Sequence, residues 1–124
     1  MARILIVDDD ILIRETLEAI LTSWGHQVDC AANGIKAIKI IESNSIDLVI
    51  TDIIMPDMDG YELIRKLRKQ SDSPKIIAMS GGGFKQDSKE LLNTALLMKA
   101  DNILHKPFDS VSLNNVIVAV LGRA

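Results

Sequence analysis

Two groups of residues in this sequence have the types and spacing to do chemistry together. Asp8, Asp9 and Asp10 follow the apolar run Arg3 to Val7, and Asp52 follows Ile50 and Thr51 at the end of a second such run. If the two runs become neighbouring strands, three or four carboxylates converge in one pocket. Two like charges about 4 Å apart repel by roughly 4 kcal/mol at an effective dielectric near 20, a large fraction of a small domain's stability. A hard divalent cation is the simplest offset, and Mg²⁺ takes one or two carboxylates while keeping waters and phosphate oxygens as its other partners. Asp8, Asp9 and Asp52 are therefore read as a metal half. Asp10, directly before Ile11, reads as a helix N-cap instead. The second group is Ser80 with Gly81, Gly82 and Gly83, together with Lys106 before Pro107. A hydroxyl, free backbone amides and an ammonium are the donors a tetrahedral anion needs.

The elements that must position these groups are five short β-type runs alternating with five helical patterns. Arg3 to Val7, Gln27 to Ala31, Asp47 to Thr51, Lys75 to Ser80 and Asn102 to His105 are rich in Ile, Val or Leu and short enough to be strands. Between them, Ile13, Leu17, Ile20, Leu21 and Trp24 recur at helical spacing. So do Ala37, Ile38 and Ile41, then Leu63, Ile64 and Leu67, and finally Leu113, Val116, Ile117, Val120 and Leu121, with Gly122 as a stop. Strict alternation of strand and helix predicts a five-stranded parallel sheet covered on both faces by five helices. The first, third and fourth runs are nearly continuous in apolar residues, as strands buried on both faces must be. The second alternates and the fifth is mixed, which makes them edges. With right-handed crossovers this fits the flavodoxin-like doubly wound order 2-1-3-4-5, whose ligands bind at the carboxyl ends of strands one and three. Both chemical groups lie at that edge.

Composition bounds the rest. A chain of 124 residues fits a single domain, 1–124, with no room for a separate output domain. The balance of 14 basic and 17 acidic residues, net −3, offers no basic field to a nucleic acid, so direct DNA binding is not expected. One cysteine, Cys30, excludes an internal disulfide and fits a cytoplasmic location. The N-terminal apolar run is too short for a signal peptide or a membrane span.

The segments Ile4-Leu5-Ile6-Val7-Asp8-Asp9, Asp47-Leu48-Val49-Ile50-Thr51-Asp52, Met55-Pro56-Asp57-Met58-Asp59-Gly60, Ala78-Met79-Ser80-Gly81 and Lys106-Pro107-Phe108 resemble, in order and spacing, the receiver domain of two-component response regulators. The resemblance covers essentially the whole chain. It implies that Asp52 is the phosphoacceptor for a histidine kinase or a histidine phosphotransfer protein. It further implies Mg²⁺ held by Asp8, Asp9, Asp52 and the backbone carbonyl of Ile54, and phosphoryl oxygens contacted by Ser80, Gly81 and Lys106. Lys106 is expected to pair with Asp52 before phosphorylation, and the Lys106-Pro107 bond to be cis, at modest cost before proline. A receiver is not an enzyme in the usual sense; it assists its own phosphorylation and slow dephosphorylation. The expected function is that of a stand-alone switch of protein–protein interactions. The downstream partner would dock on the face from the fourth helix to the fifth, where Leu97 falls opposite the apolar side formed by Leu91, Leu92, Ala95, Leu96 and Met98, near Lys99 and His105. Neither nucleic acid nor membrane is expected as a partner. His26 and His105 read as solvated residues.

One departure from the family pattern concerns the switch: Ile103 stands where many members carry an aromatic residue that changes rotamer. Ile54 and Gly82 occupy the two positions that influence phosphate lifetime in this family. Two other classes compete with the receiver reading. A haloacid dehalogenase-like phosphatase would also use an aspartate nucleophile and Mg²⁺, and Asp8, Asp10 and Leu12 echo its Asp-x-Asp start. Ile11, the lack of an acidic pair after Lys106, the missing room for a substrate cap and an Asp52 without a role all count against it. A non-phosphorylated receiver-shaped scaffold is disfavoured because every expected site residue is present.

Overall fold

The computed structural model describes residues 1–53, 60–81 and 100–122. Five strands, β1 (Arg3–Val7), β2 (Gln27–Ala31), β3 (Leu48–Asp52), β4 (Lys75–Gly81) and β5 (Asn102–Lys106), form one sheet in the order β2-β1-β3-β4-β5, all parallel. This is the flavodoxin-like order that strand composition predicts, with β2 and β5 at the edges. The described residues contain four helices: α1 (Ile11–Ser23), α2 (Gly34–Ser43), α3 (Gly60–Arg68) and α4 (Ser110–Leu121). The fourth of the five expected helices, built on Leu91 to Met98, lies outside the described residues, and with it Leu97 and Lys99.

Period-two alternation along each strand divides the apolar side chains between two layers. Leu5, Val7, Val49, Ile76 and Ala78 face α2 and α3, where Ala37, Leu63, Ile64 and Leu67 complete one core. Ile4, Ile6, Leu48, Ile50, Ile77 and Met79 face the other way, against Leu17, Leu21, Leu113 and Ile117. The helical residues expected from their spacing are thus the ones that pack.

Four strand boundaries differ from expectation, both ends of β3 and the carboxyl ends of β4 and β5, and the last three bear on the site. Asp47 stands just outside β3, although its backbone still bonds both sides: its N–H donates to Arg3 O at 2.9 Å and its O accepts from the Lys75 N–H at 3.0 Å. Its Oδ2 takes the Arg3 N–H at 2.8 Å, so no further strand carbonyl pairs there. At the other end Asp52 belongs to β3, in register with Met79. β5 likewise runs on through Lys106, opposite Gly81. Asp52 and Lys106 therefore end their strands, held by the ladder, rather than following them in loops.

The helices start where short polar side chains satisfy their first amides. Asp10 caps α1 by accepting from Leu12 N–H, Asn33 caps α2 by accepting from Lys36 N–H, both at 2.9 Å, and Asp109 caps α4 by accepting from Ser112 N–H at 2.7 Å. α4 stops at Gly122, whose φ of 81° suits a residue without Cβ. Asn33→Ala removes one such cap and should cost about 1 kcal/mol, or roughly 4 °C in melting temperature, measurable by thermal unfolding.

Candidate functional site

β1 and β3 are adjacent, and their crossovers leave on opposite faces, so a crevice opens at their carboxyl ends. Asp8 directly follows β1 and is fully buried; its backbone N–H donates to Ala31 O at 3.1 Å. Its carboxylate is held from two sides. Oδ1 accepts from the Asp10 N–H at 2.9 Å, and Oδ2 accepts from Lys106 Nζ at 2.8 Å. The Arg14 guanidinium donates to the Asp8 carbonyl oxygen at 2.7 Å, which ties the first turn of α1 to the end of β1. Asp52, half-buried, accepts from the Ile53 N–H at 2.8 Å, and its Oδ2 lies 3.4 Å from Lys106 Nζ. One carboxylate oxygen from each of Asp8, Asp9 and Asp52 can be chosen so that all three lie within 4.8 Å of one another.

The expected pairing of Lys106 with Asp52 is present, at 3.4 Å, but the ammonium also reaches Asp8 and lies nearer to it, at 2.8 Å. The reason is burial. The side chain of Asp8 is 1% exposed against 15% for Asp52, so an unpaired charge on Asp8 costs more. The same ordering explains the titration behaviour. Burial pushes the Asp52 carboxyl above the ordinary carboxylate value; Lys106 pulls it down, the neighbouring Asp8 charge pushes it up further, and the net shift is upward. For Lys106 burial acts to lower the ammonium, but the hydrogen bond to Asp8 and the charges of Asp52 and Asp8 outweigh it, so its pKa is raised.

The donor set fits a hard divalent cation. All three side chains offer oxygen, they come from two strand ends, and the most exposed of them, Asp9, leaves one side open to water. Ile54, whose carbonyl is the expected fourth protein ligand, lies outside the described residues.

The described residues of the expected anion half lie on β4 and β5. Ser80, in β4, is 2% exposed and pairs in register with His105 of β5. Ser80 Oγ lies 3.2 Å from His105 Nδ1. The Lys106-Pro107 bond is cis. Gly82 and Gly83 lie outside the described residues. Asp10, read from the sequence as a cap, is one, with its carboxylate turned to Leu12 N–H. A cavity of about 430 Å³ opens at the opposite edge of the sheet, lined by Asn44, Asp47, Gln70 and Lys75, far from these groups in the fold.

Sequence reasoning gave Gly60 no role beyond its place in a motif. A Cβ built there would run into the Asp52 carbonyl oxygen and lie 2.6 Å from Ile53 Cα, while Gly60 N–H donates to Ile53 O at 2.8 Å. The start of α3 is thus pressed against the backbone that carries Asp52. Gly60→Ala must push the two apart and should destabilise the domain by about 2 kcal/mol, read as a lowered denaturant midpoint.

A doubly wound sheet with three carboxylates and a lysine converging at its switch point is an α/β domain whose acidic cluster could hold a metal ion. The chain belongs to the response regulator receiver domain family, whose profile matches residues 4–118. It is 39% identical over 122 residues to the "Probable transcriptional regulator ycf27" of Cyanidium caldarium, covering 97% of this chain and 46% of that protein. The crystal structure of a putative response regulator from Chloroflexus aurantiacus J-10-fl superposes with a TM-score of 0.88 at 30% identity, covering 98% of both chains. The receiver domain of sensor histidine kinase PA1611 from Pseudomonas aeruginosa PAO1, described with a magnesium ion coordinated in the active site cleft, superposes at 0.84 with 28% identity, again covering 98% of both. The chain spans about half the length of the curated relatives it matches.

Proposed function

We propose that this receiver domain accepts a phosphoryl group on Asp52 from the phosphohistidine of a histidine kinase or histidine phosphotransfer protein. The observation that carries the reading is the convergence of Asp8, Asp9 and Asp52 oxygens within 4.8 Å, with the Lys106 ammonium against two of them. Asp52 Oδ would form the new O–P bond as the P–N bond of the donor breaks, the imidazole keeping the electron pair and taking up a proton. Asp8, Asp9 and Asp52, with the Ile54 carbonyl, are the residues that would hold Mg²⁺. When bound, that ion supplies charge neutralisation for the phosphoryl oxygens. Lys106 supplies the second positive charge from the other side of Asp52. Ser80 donates its hydroxyl to a phosphoryl oxygen, and Gly81 leaves the backbone beside it open to the same group. Burial of Asp52 keeps competing water away and raises the basicity of its carboxylate.

The switch would act on protein partners, with no output domain among residues 1–124. A net charge of −3 gives residues 1–124 no basic field for a nucleic acid, while among the longer relatives are proteins named as transcriptional regulators. No helix among the described residues is long and apolar enough to cross a membrane. A location in the cytoplasm, where a kinase can reach Asp52, completes the reading.

A protein donor also needs a surface. Ile11 and Leu12 in the first turn of α1, Ile35 in the first turn of α2 and Val111 in the first turn of α4 are exposed, all at the sheet edge that carries Asp52. Leu12, 69% exposed, sits two residues beyond Asp10. Leu12→Glu should reduce the rate of phosphotransfer from a histidine phosphotransfer protein about tenfold, while leaving phosphorylation by acetyl phosphate unchanged. An equal fall with both donors would place Leu12 in the folding of the site rather than in docking.

A further inference from the structure

Ser80 and His105 stand opposite each other on β4 and β5, and their side chains meet at 3.2 Å on the face that also carries Ala78 and Ile103. Ser80 is 2% exposed, so its hydroxyl proton needs an acceptor inside the protein. Among the described residues the acceptor within reach is His105 Nδ1. The imidazole is exposed, so its other nitrogen can carry the ring proton and give it to water. With the ring proton on Nε2, the tautomer assigned from the burial of Ser80, the hydroxyl is the donor and Nδ1 the acceptor.

A serine hydroxyl has one proton, and phosphoryl oxygens only accept. The proton now given to Nδ1 is the one that a phosphoryl group on Asp52 would require. We propose that His105 is a positioning residue for Ser80: it holds the hydroxyl in the unphosphorylated arrangement and must release it before Ser80 can turn to the phosphoryl group. This rests on the phosphoacceptor reading above and adds a residue that sets how readily the phosphorylated arrangement is reached. Ile103, the neighbour of His105 on the same face, has no polar atom with which to share this role.

The test is the affinity of the intact domain for beryllofluoride, a tetrahedral phosphoryl mimic, in saturating Mg²⁺. His105→Leu removes the competing acceptor and should tighten binding about fivefold, the worth of one ordinary hydrogen bond. His105→Asn, whose side-chain oxygen can accept from Ser80, should return the affinity to within twofold of the wild type. In a Ser80→Ala background the leucine substitution should change nothing, because the bond it removes is no longer there. The wild-type protein gives an independent reading: beryllofluoride should shift the ¹⁵N resonance of His105 Nδ1 as its hydrogen bond is lost. An unchanged or weakened affinity in His105→Leu, or an Nδ1 resonance indifferent to beryllofluoride, overturns the role of His105 and leaves the phosphoacceptor reading intact. Failure of the wild type to bind beryllofluoride at all overturns both.

Discussion

Asp52→Asn should abolish acyl phosphate formation from acetyl phosphate in Mg²⁺, leaving no phosphorylated protein detectable over several hours, while Asp10→Asn should retain most of it. The two residues differ in what their carboxylates do. Asp52 ends β3 in register with Met79, with one oxygen on the Ile53 amide and the other facing Lys106. An amide at this position keeps the shape and loses the nucleophile. Asp10 spends its carboxylate on the first turn of α1, and Asn caps a helix about as well as Asp. Exchange of the two outcomes would favour the phosphatase reading, in which Asp10 does chemistry. The asparagine variant carries a second expectation of opposite sign. Burial and the neighbouring Asp8 charge already push the Asp52 carboxyl upward, so the ionised form is a cost to the fold. Removing that charge should raise the melting temperature in EDTA and shrink the further rise that Mg²⁺ produces.

Lys106→Met should destabilise the metal-free domain by about 3 kcal/mol, because it leaves Asp8 buried with its charge uncompensated. That corresponds to a fall of roughly 12 °C in melting temperature for a domain of this size. The methionine keeps most of the apolar length of the lysine stem, so the loss is one of charge. The pH dependence follows from the raised pKa of Lys106. A base whose folded pKa lies above its unfolded one contributes stability that is complete below the unfolded value, about 10.4 for lysine, and lost as pH climbs through the folded one. The difference between wild type and variant should therefore be constant from pH 7 to 9 and close above that range. Added Mg²⁺ should favour the variant more than the wild type, since the ammonium no longer competes for Asp8 and Asp52. At a hundredfold excess over its dissociation constant the ion stabilises by about 2.7 kcal/mol, enough to recover nearly all of the loss. Equal melting temperatures in EDTA, or a variant that Mg²⁺ does not rescue, would contradict the geometry described here.

What could be read from the residues alone was whatever depends on pattern. β1, β3 and β4 announce themselves because both of their faces are buried, which demands unbroken apolar runs, and the order of the sheet follows from the weaker patterns of β2 and β5. The carboxylate cluster was legible because Asp8, Asp9 and Asp52 sit at the ends of such runs. Contacts set by the path of the chain were not. Gly60 is eight residues from Asp52, and nothing in the intervening sequence says that α3 begins against the Asp52 carbonyl. The choice of Lys106 for Asp8 over Asp52 depends on a difference in burial between two carboxylates that look alike in the chain. Both histidines read as solvated because no ligand partner stands at metal spacing from them; His105 is exposed, yet the parallel register of β4 and β5 brings it to Ser80, and His26 is buried, accepting from the Ala2 N–H at 3.2 Å. Asp47 counts as a strand residue by its neighbours, and the ladder begins one residue later because its carboxylate, not a strand carbonyl, takes the Arg3 amide.

The most direct measurement is the intact mass of wild-type protein and Asp52→Asn after incubation with acetyl phosphate, with Mg²⁺ and with EDTA, before and after mild alkaline treatment. The wild type should gain the mass of one phosphoryl group in Mg²⁺ only and lose it in alkali, as an acyl phosphate does, and the variant should gain nothing. A wild type that stays unmodified in Mg²⁺, or a variant that gains the same mass, would contradict the assignment of Asp52 as the acceptor.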